Sequence, residues 1–322
     1  MVFHLVKVLS VAISLCLSAP TRAQDYPNKP VRWVVPYSAG ASNDVVARLL
    51  AQKLSQKWGQ PVVIENRAGA GGAIGASLVA NAIPDGYSLL MTNPGSNAIQ
   101  HVLNNNTSYS NEDFIHVILL GSAPLMLSVR QDFPANSVNE LIAIAKATPG
   151  LLTGGSSGAG GSSHFALELF NLSAGIEIRH IPYKGAAPAV SDVVGRQITL
   201  IFTTPASIFA LLEANKLKVL GVSSATRIAA FPDIPTMIEQ GVRDFNDQIW
   251  FGASVPAATP TAIVTKLNQD LNDVLHMQDI KERFTALGLE TEGGSSEKFT
   301  QLIQADIKRL RQLVKTANIK TD

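Results

Sequence analysis

The residues that could do covalent chemistry lie in one short run. Gly154–Gly158 (GGSSG) fits the G-x-S-x-G spacing that sets a nucleophilic serine, here Ser156, on a sharp turn between a strand and a helix. A hydrolase would need an acid and then a histidine further along, and Asp192 and His276 stand in that order. The run also belongs to a longer Gly/Ser stretch, Gly154–Ser163 (GGSSGAGGSS), where the pattern arises from composition alone. Small residues equally let backbone approach a ligand. Gly69–Gly75 (GAGGAIG) follows a strand as a dinucleotide fingerprint does, but Ile74 stands where the third glycine belongs, and Asp85 lies in a turn. No phosphate loop ending in Gly-Lys-Ser/Thr occurs. The histidines His4, His101, His116, His164, His180 and His276 are scattered, without H-E-x-x-H, Cys/His or calcium-loop spacing. No metal and no cofactor is expected.

What remains is a set of small-residue loops, each following a strand and opening a helix. Val31–Val35 reads as a buried strand between Pro30 and Pro36, and Val46, Leu50, Leu54 and Trp58 recur at the spacing of a one-sided helix. Between them lies Tyr37–Asp44, in which Ser42 or Asn43 can cap the helix and Gly59 can end it. A helix start aims unpaired N–H groups and the positive end of the helix dipole at one spot, which favours an anion. Asn93–Ser96 and Gly154–His164 repeat the pattern, and Pro182–Ala186 and Thr203–Ser207 extend it. All should lie beyond strand C-terminal ends, where open α/β sheets bind ligands. They offer donors and space but no base–nucleophile pair, which points to binding rather than catalysis.

The elements that position these loops alternate as strand and helix, predicting largely parallel sheets. Expected pieces include Pro61–Glu65, a helix over Ala76–Ala82, strands over Tyr87–Thr92, Leu151–Thr153, Glu177–Ile181, Gln197–Phe202, Lys216–Val222 and Ile249–Val255, and a capping box at Ser137–Glu140. Three helices, Thr261–His276, Asp279–Leu287 and Ser296–Ala317, end the chain, the last with apolar residues at Phe299, Leu302, Ile303, Ile307 and Leu310. His116–Arg130 is apolar without a helical period and could cross between domains. Crossings near 120–129 and 220–227 divide the chain into residues 24–122 plus 226–322 and residues 123–225.

Residues 1–23 read as a signal peptide: Lys7 precedes a short apolar run, Val8–Leu17, and Thr21-Arg22-Ala23 supplies a cleavage site. The only cysteine, Cys16, falls inside it after Leu15, which argues against a lipid anchor, and the rest of the 322-residue chain has none. Disulfides therefore do not stabilise it. Removing Lys7 and Arg22 takes the formal charge from +1 to slightly negative, and no basic tract argues for nucleic acid or an anionic membrane. A periplasmic protein of two α/β domains, closing by a hinge over a ligand, is the simplest reading.

Tyr26–Pro30 (YPNKP), Val35–Arg48 (VPYSAGASNDVVAR), Val62–Gly69 (VVIENRAG), Pro84–Tyr87 (PDGY), Ser156–His164 (SSGAGGSSH), His180–Gly185 (HIPYKG), Phe231–Thr236 (FPDIPT) and Glu239–Gly241 carry a resemblance, in order and spacing, to the Bug-type periplasmic solute-binding receptors of tripartite tricarboxylate transporters. The resemblance covers essentially the whole chain after residue 23. It implies a two-domain venus-flytrap fold of the type II-like periplasmic binding protein class, with a ligand cleft between the domains. It also implies a small carboxylate held by Tyr37–Asp44 and Ser156–His164, largely through backbone groups and water, without a metal, for delivery to membrane transporter subunits. Three positions depart from the family pattern: Ala41 replaces a glycine, Ala68 a proline, and Thr203 or Thr204 an acidic residue. A hydroxyl there removes a partner for a ligand amine, so a ligand without an ammonium group is expected.

The expected site follows from these loops. Tyr37 packs on the ligand or seals the loop, Ser38, Ala39 and Gly40 present backbone donors or shape the loop, and Ser42, Asn43 and Asp44 cap or line the helix start. Asp44, being anionic, should bind backbone or water. Asn93 and Ser96 flank the cleft. Ser156, Ser157, Gly158 and Ser162 supply hydroxyls and amides from the other domain. His164 orients the loop, donates to a bound oxygen, or simply starts a helix. Tyr183, Lys184, Gly185 and Ala186 complete that wall with Thr203 and Thr204, Lys184 either facing the ligand or facing solvent. The protein is expected to be a monomer and not an enzyme. The rivals are a secreted serine esterase using Ser156 and a ligand-bound sensory partner of a membrane signalling protein.

Overall fold

The computed structural model describes residues 26–103, 107–243 and 245–317; the expected signal peptide, with Cys16, lies outside the described residues. Val31–Val35 forms β1, buried at every position but Arg32 because its β-branched residues and Trp33 sit in the middle of a sheet. The helix α1 (Ser42–Trp58) lays Val46, Leu50 and Leu54 on that sheet and ends at Gly59, whose φ of 63° is the left-handed cap glycine tolerates best. Next come β2 (Val62–Asn66), α2 (Ala73–Ala80), β3 (Ser88–Thr92), a π-turn over Gly95–Ile99, the short α3 (Gln100–Leu103) and the long β4 (Phe114–Pro124). After β4 the chain enters a second sheet with β5 (Met126–Arg130), α4 (Val138–Ala147), β6 (Thr153–Ser156), α5 (Ser162–Ala174), β7 (Arg179–Pro182), α6 (Ala186–Val194), β8 (Leu200–Thr203), α7 (Pro205–Glu213) and β9 (Leu217–Val222). It returns with β10 (Gln248–Pro256), α8 (Thr261–Leu275), α9 (Gln278–Ala286), β11 (Glu290–Thr291) and α10 (Ser296–Ala317).

The strand order is β11-β4-β10-β3-β1-β2 in the first sheet and β7-β6-β8-β5-β9 in the second. The strand–helix units β1–β2, β1–β3, β6–β7 and β6–β8 pair in parallel. The sheets are not largely parallel, however. The strands that carry the chain between sheets, β4, β5 and β10, pair antiparallel with their neighbours, because a chain that leaves one sheet and comes back must run the other way. The apolar stretch His116–Arg130 is thus two consecutive strands in two sheets. Ser223 joins the places where the chain passes between sheets: it donates its N–H to Leu125 O at 2.8 Å, its hydroxyl accepts from Leu125 N at 2.7 Å, and its carbonyl accepts from Asp247 N at 3.1 Å. Its hydroxyl also bonds Asp247 O.

Local differences from expectation have physical causes. The strand expected at Leu151–Thr153 lies at Thr153–Ser156 instead, with Leu151 exposed. Gly154 and Gly155 are strand residues because neighbours press close on them: a Cβ on Gly154 would stand 2.7 Å from Leu167 of α5, and one on Gly155 would stand 2.4 Å from Ile198, in the connection before β8, and 3.1 Å from Ala189 of α6. The helix expected from Ala76 begins at Ala73, after a tight turn at Ala70–Gly72. The N-cap of α1 is Ala41, with no side-chain cap bond, rather than Ser42 or Asn43. The segment after residue 226 does not leave the second sheet at once, since Met237, Val242 and Phe245 are buried in that sheet's core.

Candidate functional site

Four helix starts converge on a cavity of about 30 Å³ between the two sheets. Ala41, Ser42 and Asn43 bring the N-terminus of α1, Ser162 and Ser163 that of α5, Ala186 that of α6, and Thr203, Thr204 and Ser207 that of α7. Tyr37, Asn93 and Ser157 add polar walls, and Phe202, Ile249 and Phe251 an apolar one. None of these lining residues is charged. The positive potential comes from backbone: each helix N-terminus acts as about half a unit charge and is worth up to ~2 kcal/mol to a partly buried anion. Room is enough for one or two waters or a group the size of a carboxylate. Clefts of about 570 Å³ beside α10 and 660 Å³ beside the places where the chain passes between sheets are larger, but neither gathers helix starts from both sheets.

Hydroxyls link the two halves across this space. Ser42 Oγ bonds Thr204 Oγ1, stands 2.7 Å from Ser207 Oγ, and Ser42 N donates to Ser207 Oγ at 3.0 Å. Ser162 Oγ is buried and makes no hydrogen bond among the described residues. The Tyr37 hydroxyl lies 2.8 Å from Gly71 O and 2.9 Å from Asn93 Oδ1. Burial pushes its phenol far above the ordinary value, outweighing the opposing Asn93 bond, so it stays a donor. Asn93 Oδ1 also accepts from Ser96 N at 3.1 Å, and Asn93 Nδ2 donates to Asn43 Oδ1 at 3.3 Å.

The remaining expected residues lie behind the walls. Asp44 accepts from Gly40 N at 3.0 Å, from Arg48 Nε at 2.9 Å and from Asn66 Nδ2 at 2.9 Å. Burial works against its ionisation, but those three donors outweigh it and hold the carboxyl below its usual range. Its charge is spent on the first turn of α1. Ser38 packs against Gly185, where a Cβ would stand 2.2 Å from Ser38 Oγ, while Ala39 and Gly40 are exposed. Ser96 is fully buried and donates to Asn97 Oδ1 at 2.6 Å. Lys184 is exposed and does not line the cavity. Tyr183 donates to Asp192 Oδ2 at 2.6 Å, and burial with that bond pushes its phenol up to about 12. His164 accepts from Gly160 N at 3.1 Å through Nδ1, so it orients the glycine loop, and its ring stacks on His180 with centroids 3.8 Å apart.

The esterase constellation is not assembled. Ser156 is fully buried, with its hydroxyl 2.6 Å from His180 Nε2 and accepting from Gly158 N at 3.1 Å. Asp192 is taken by Tyr183, and His276 lies at the C-terminal end of α8 with Nδ1 2.7 Å from Asn272 O.

Sequence reasoning placed Ser163 and Ser207 inside candidate loops without singling them out as walls, and did not foresee Phe202, Ile249 and Phe251. Ser207 sits just inside a Pro-started helix, and Ile249 and Phe251 share one face of β10 by the period of two; those were the available signals. Ala41 also lines the cavity: at φ −72° it needs no glycine, and its methyl joins the apolar cluster of α6.

The family model described as the tripartite tricarboxylate transporter family receptor matches residues 46–319. BugT of Bordetella pertussis is 33% identical over 320 residues, covering 98% of each chain. A solved R. palustris protein with adipate is 35% identical, spans 92% of this chain and 99% of its own, and superimposes with a TM-score of 0.89. MatC of Rhodopseudomonas palustris with bound malate is 30% identical, spans 90% of this chain and 100% of its own, with a TM-score of 0.86. Two mixed sheets with a cavity ringed by helix starts between them suit a receptor, and the chain belongs to the tripartite tricarboxylate transporter receptor family.

Proposed function

We propose that this receptor captures a small carboxylate lacking an ammonium group between its two halves and hands it to the membrane subunits of a transporter. The observation that carries the reading is the convergence of four helix N-termini on one uncharged cavity. A carboxylate supplies the charge the cavity lacks and accepts from first-turn N–H groups and from hydroxyls such as that of Ser162. Thr203 and Thr204 line the wall where an acid would pair with an amine, and the nearest expected acid, Asp44, is saturated by its own neighbours. The adipate and malate held by the two R. palustris relatives belong to the same ligand class.

The moving bodies are residues 26–124 with 247–317 and residues 125–246, joined at Leu125, Ser223 and Asp247. The protein acts as a monomer in the periplasm, reached through the leader at 1–23. Among the described residues no helix is long and apolar enough to cross a membrane. A thermal-shift panel of dicarboxylates, hydroxy acids, aromatic acids and amino acids tests the reading. Carboxylates without an ammonium group should raise Tm; a response confined to amino acids would overturn it.

A further inference from the structure

Gln100, in α3, is 5% exposed and does not line the cavity. Its Nε2 carries two hydrogens and stands 3.1 Å from each of two carbonyl oxygens, Ala70 O and Ala159 O. Ala70 lies in the glycine turn after β2 of the first sheet, and Ala159 in the glycine loop after β6 of the second. One side-chain amide therefore bonds both halves at once, and its two bonds coexist only while the halves are together. The backbone around it leaves no room for side chains. A Cβ on Gly71 would lie 2.4 Å from Gln100 Nε2 and 2.5 Å from Ala159 O, and one on Gly160 would lie 2.5 Å from the same Nε2. Both glycines have positive φ, 60° and 70°.

The sequence connects this amide to the cavity. Asn93 lines the cavity, and the buried π-turn Gly95–Ile99 runs from it directly into α3. π-turns of this kind recur at functional sites. Resting on the receptor reading above, we infer that Gln100 is a positioning residue for solute capture: its amide clasps the two glycine loops on closure and so sets how long the solute is held. It acts through closure, not through contact with the ligand.

Gln100→Met keeps the volume and removes both donors; Gln100→Glu turns acceptors toward the two carbonyls. Amide hydrogen exchange of the ligand-free full chain, read by mass spectrometry, reports closure without any ligand. Gln100→Met should raise exchange about tenfold, as two neutral hydrogen bonds predict, in residues 69–72 and 158–161 and also in 203–208, where Ser42 meets Thr204. Gln100→Glu should exceed it. With adipate or malate as probe, dissociation should quicken about tenfold while association is unchanged. A rise confined to the neighbours of Ala70 and Ala159, with 203–208 unmoved, would make Gln100 local packing and overturn the inference. A wild type that binds neither acid would count against the carboxylate reading alone, and the exchange pattern would still decide the clasp.

Discussion

Gly158 shows how a single missing side chain lets the two halves meet. Its φ of 130° is open to little besides glycine, and a Cβ would stand 2.8 Å from Gly71 N on the opposite half. Gly158→Val should therefore cost about 1–3 kcal/mol in urea unfolding and eliminate the ligand-induced rise in Tm. Thr204 offers the converse experiment. A carboxylate placed there by Thr204→Asp would sit among the helix starts and compete with any bound anion, so the variant should fold yet show no carboxylate response in calorimetry. Both positions were legible as small or hydroxyl-bearing loop residues. That the Ser156 hydroxyl is shut away against His180 was not, because the stretch around it reads the same whether the serine faces a cleft or a core.

At the scale of elements, the periodicity of α10 was enough to orient it. Phe299, Ile303 and Leu310 are buried as their spacing foretells, and Leu302 and Ile307 pack beside them. Phe299 rests on the backbone of β10 at Gly252, where a Cβ would meet its ring at 2.0 Å, and its ring meets Trp250 edge-on at 5.4 Å. Phe299→Ala should cost about 3–5 kcal/mol by urea unfolding, the usual loss for an aromatic removed from a tight core. Element edges were less legible where glycine has two meanings. Gly154 and Gly155 read as loop, but glycine is equally what a strand uses when a helix presses close, and only packing separates the two.

For the whole molecule, two buried groups oppose each other as pH falls. Burial lowers His116 from 6.5 to about 4, with Glu112 raising and His101 lowering it further, while its Nδ1 stays 2.9 Å from Ser254 Oγ. The unfolded chain takes up this proton first, so stability is full above pH 6.5 and drains away toward pH 4, by ~3 kcal/mol. Burial raises Asp247 at the hinge from 3.8 to about 6, against the pull of Arg309 at 3.2 Å and with the push of Asp306. There the folded state takes the proton first, so stability is gained as pH falls from 6 toward 4. The wild type should change little in Tm across that window. Asp247→Asn removes the compensating group, so its Tm should fall steeply between pH 6.5 and 4, and His116→Gln should show the opposite slope.

What the sequence determined by itself is local. A β-branched strand, a small-residue loop and a one-sided helix, repeated along the chain, make helix starts that favour an anion, because neighbours in the chain decide both conformation and the direction of the helix dipole. Tertiary structure decided which of those starts share a cavity, and which hydroxyls close it. Ser42 and Thr204 are 162 residues apart, and nothing short-range brings them together. Their contact follows from the antiparallel return of β10 and the fit of one glycine loop against another, which exist only once both sheets have formed and met.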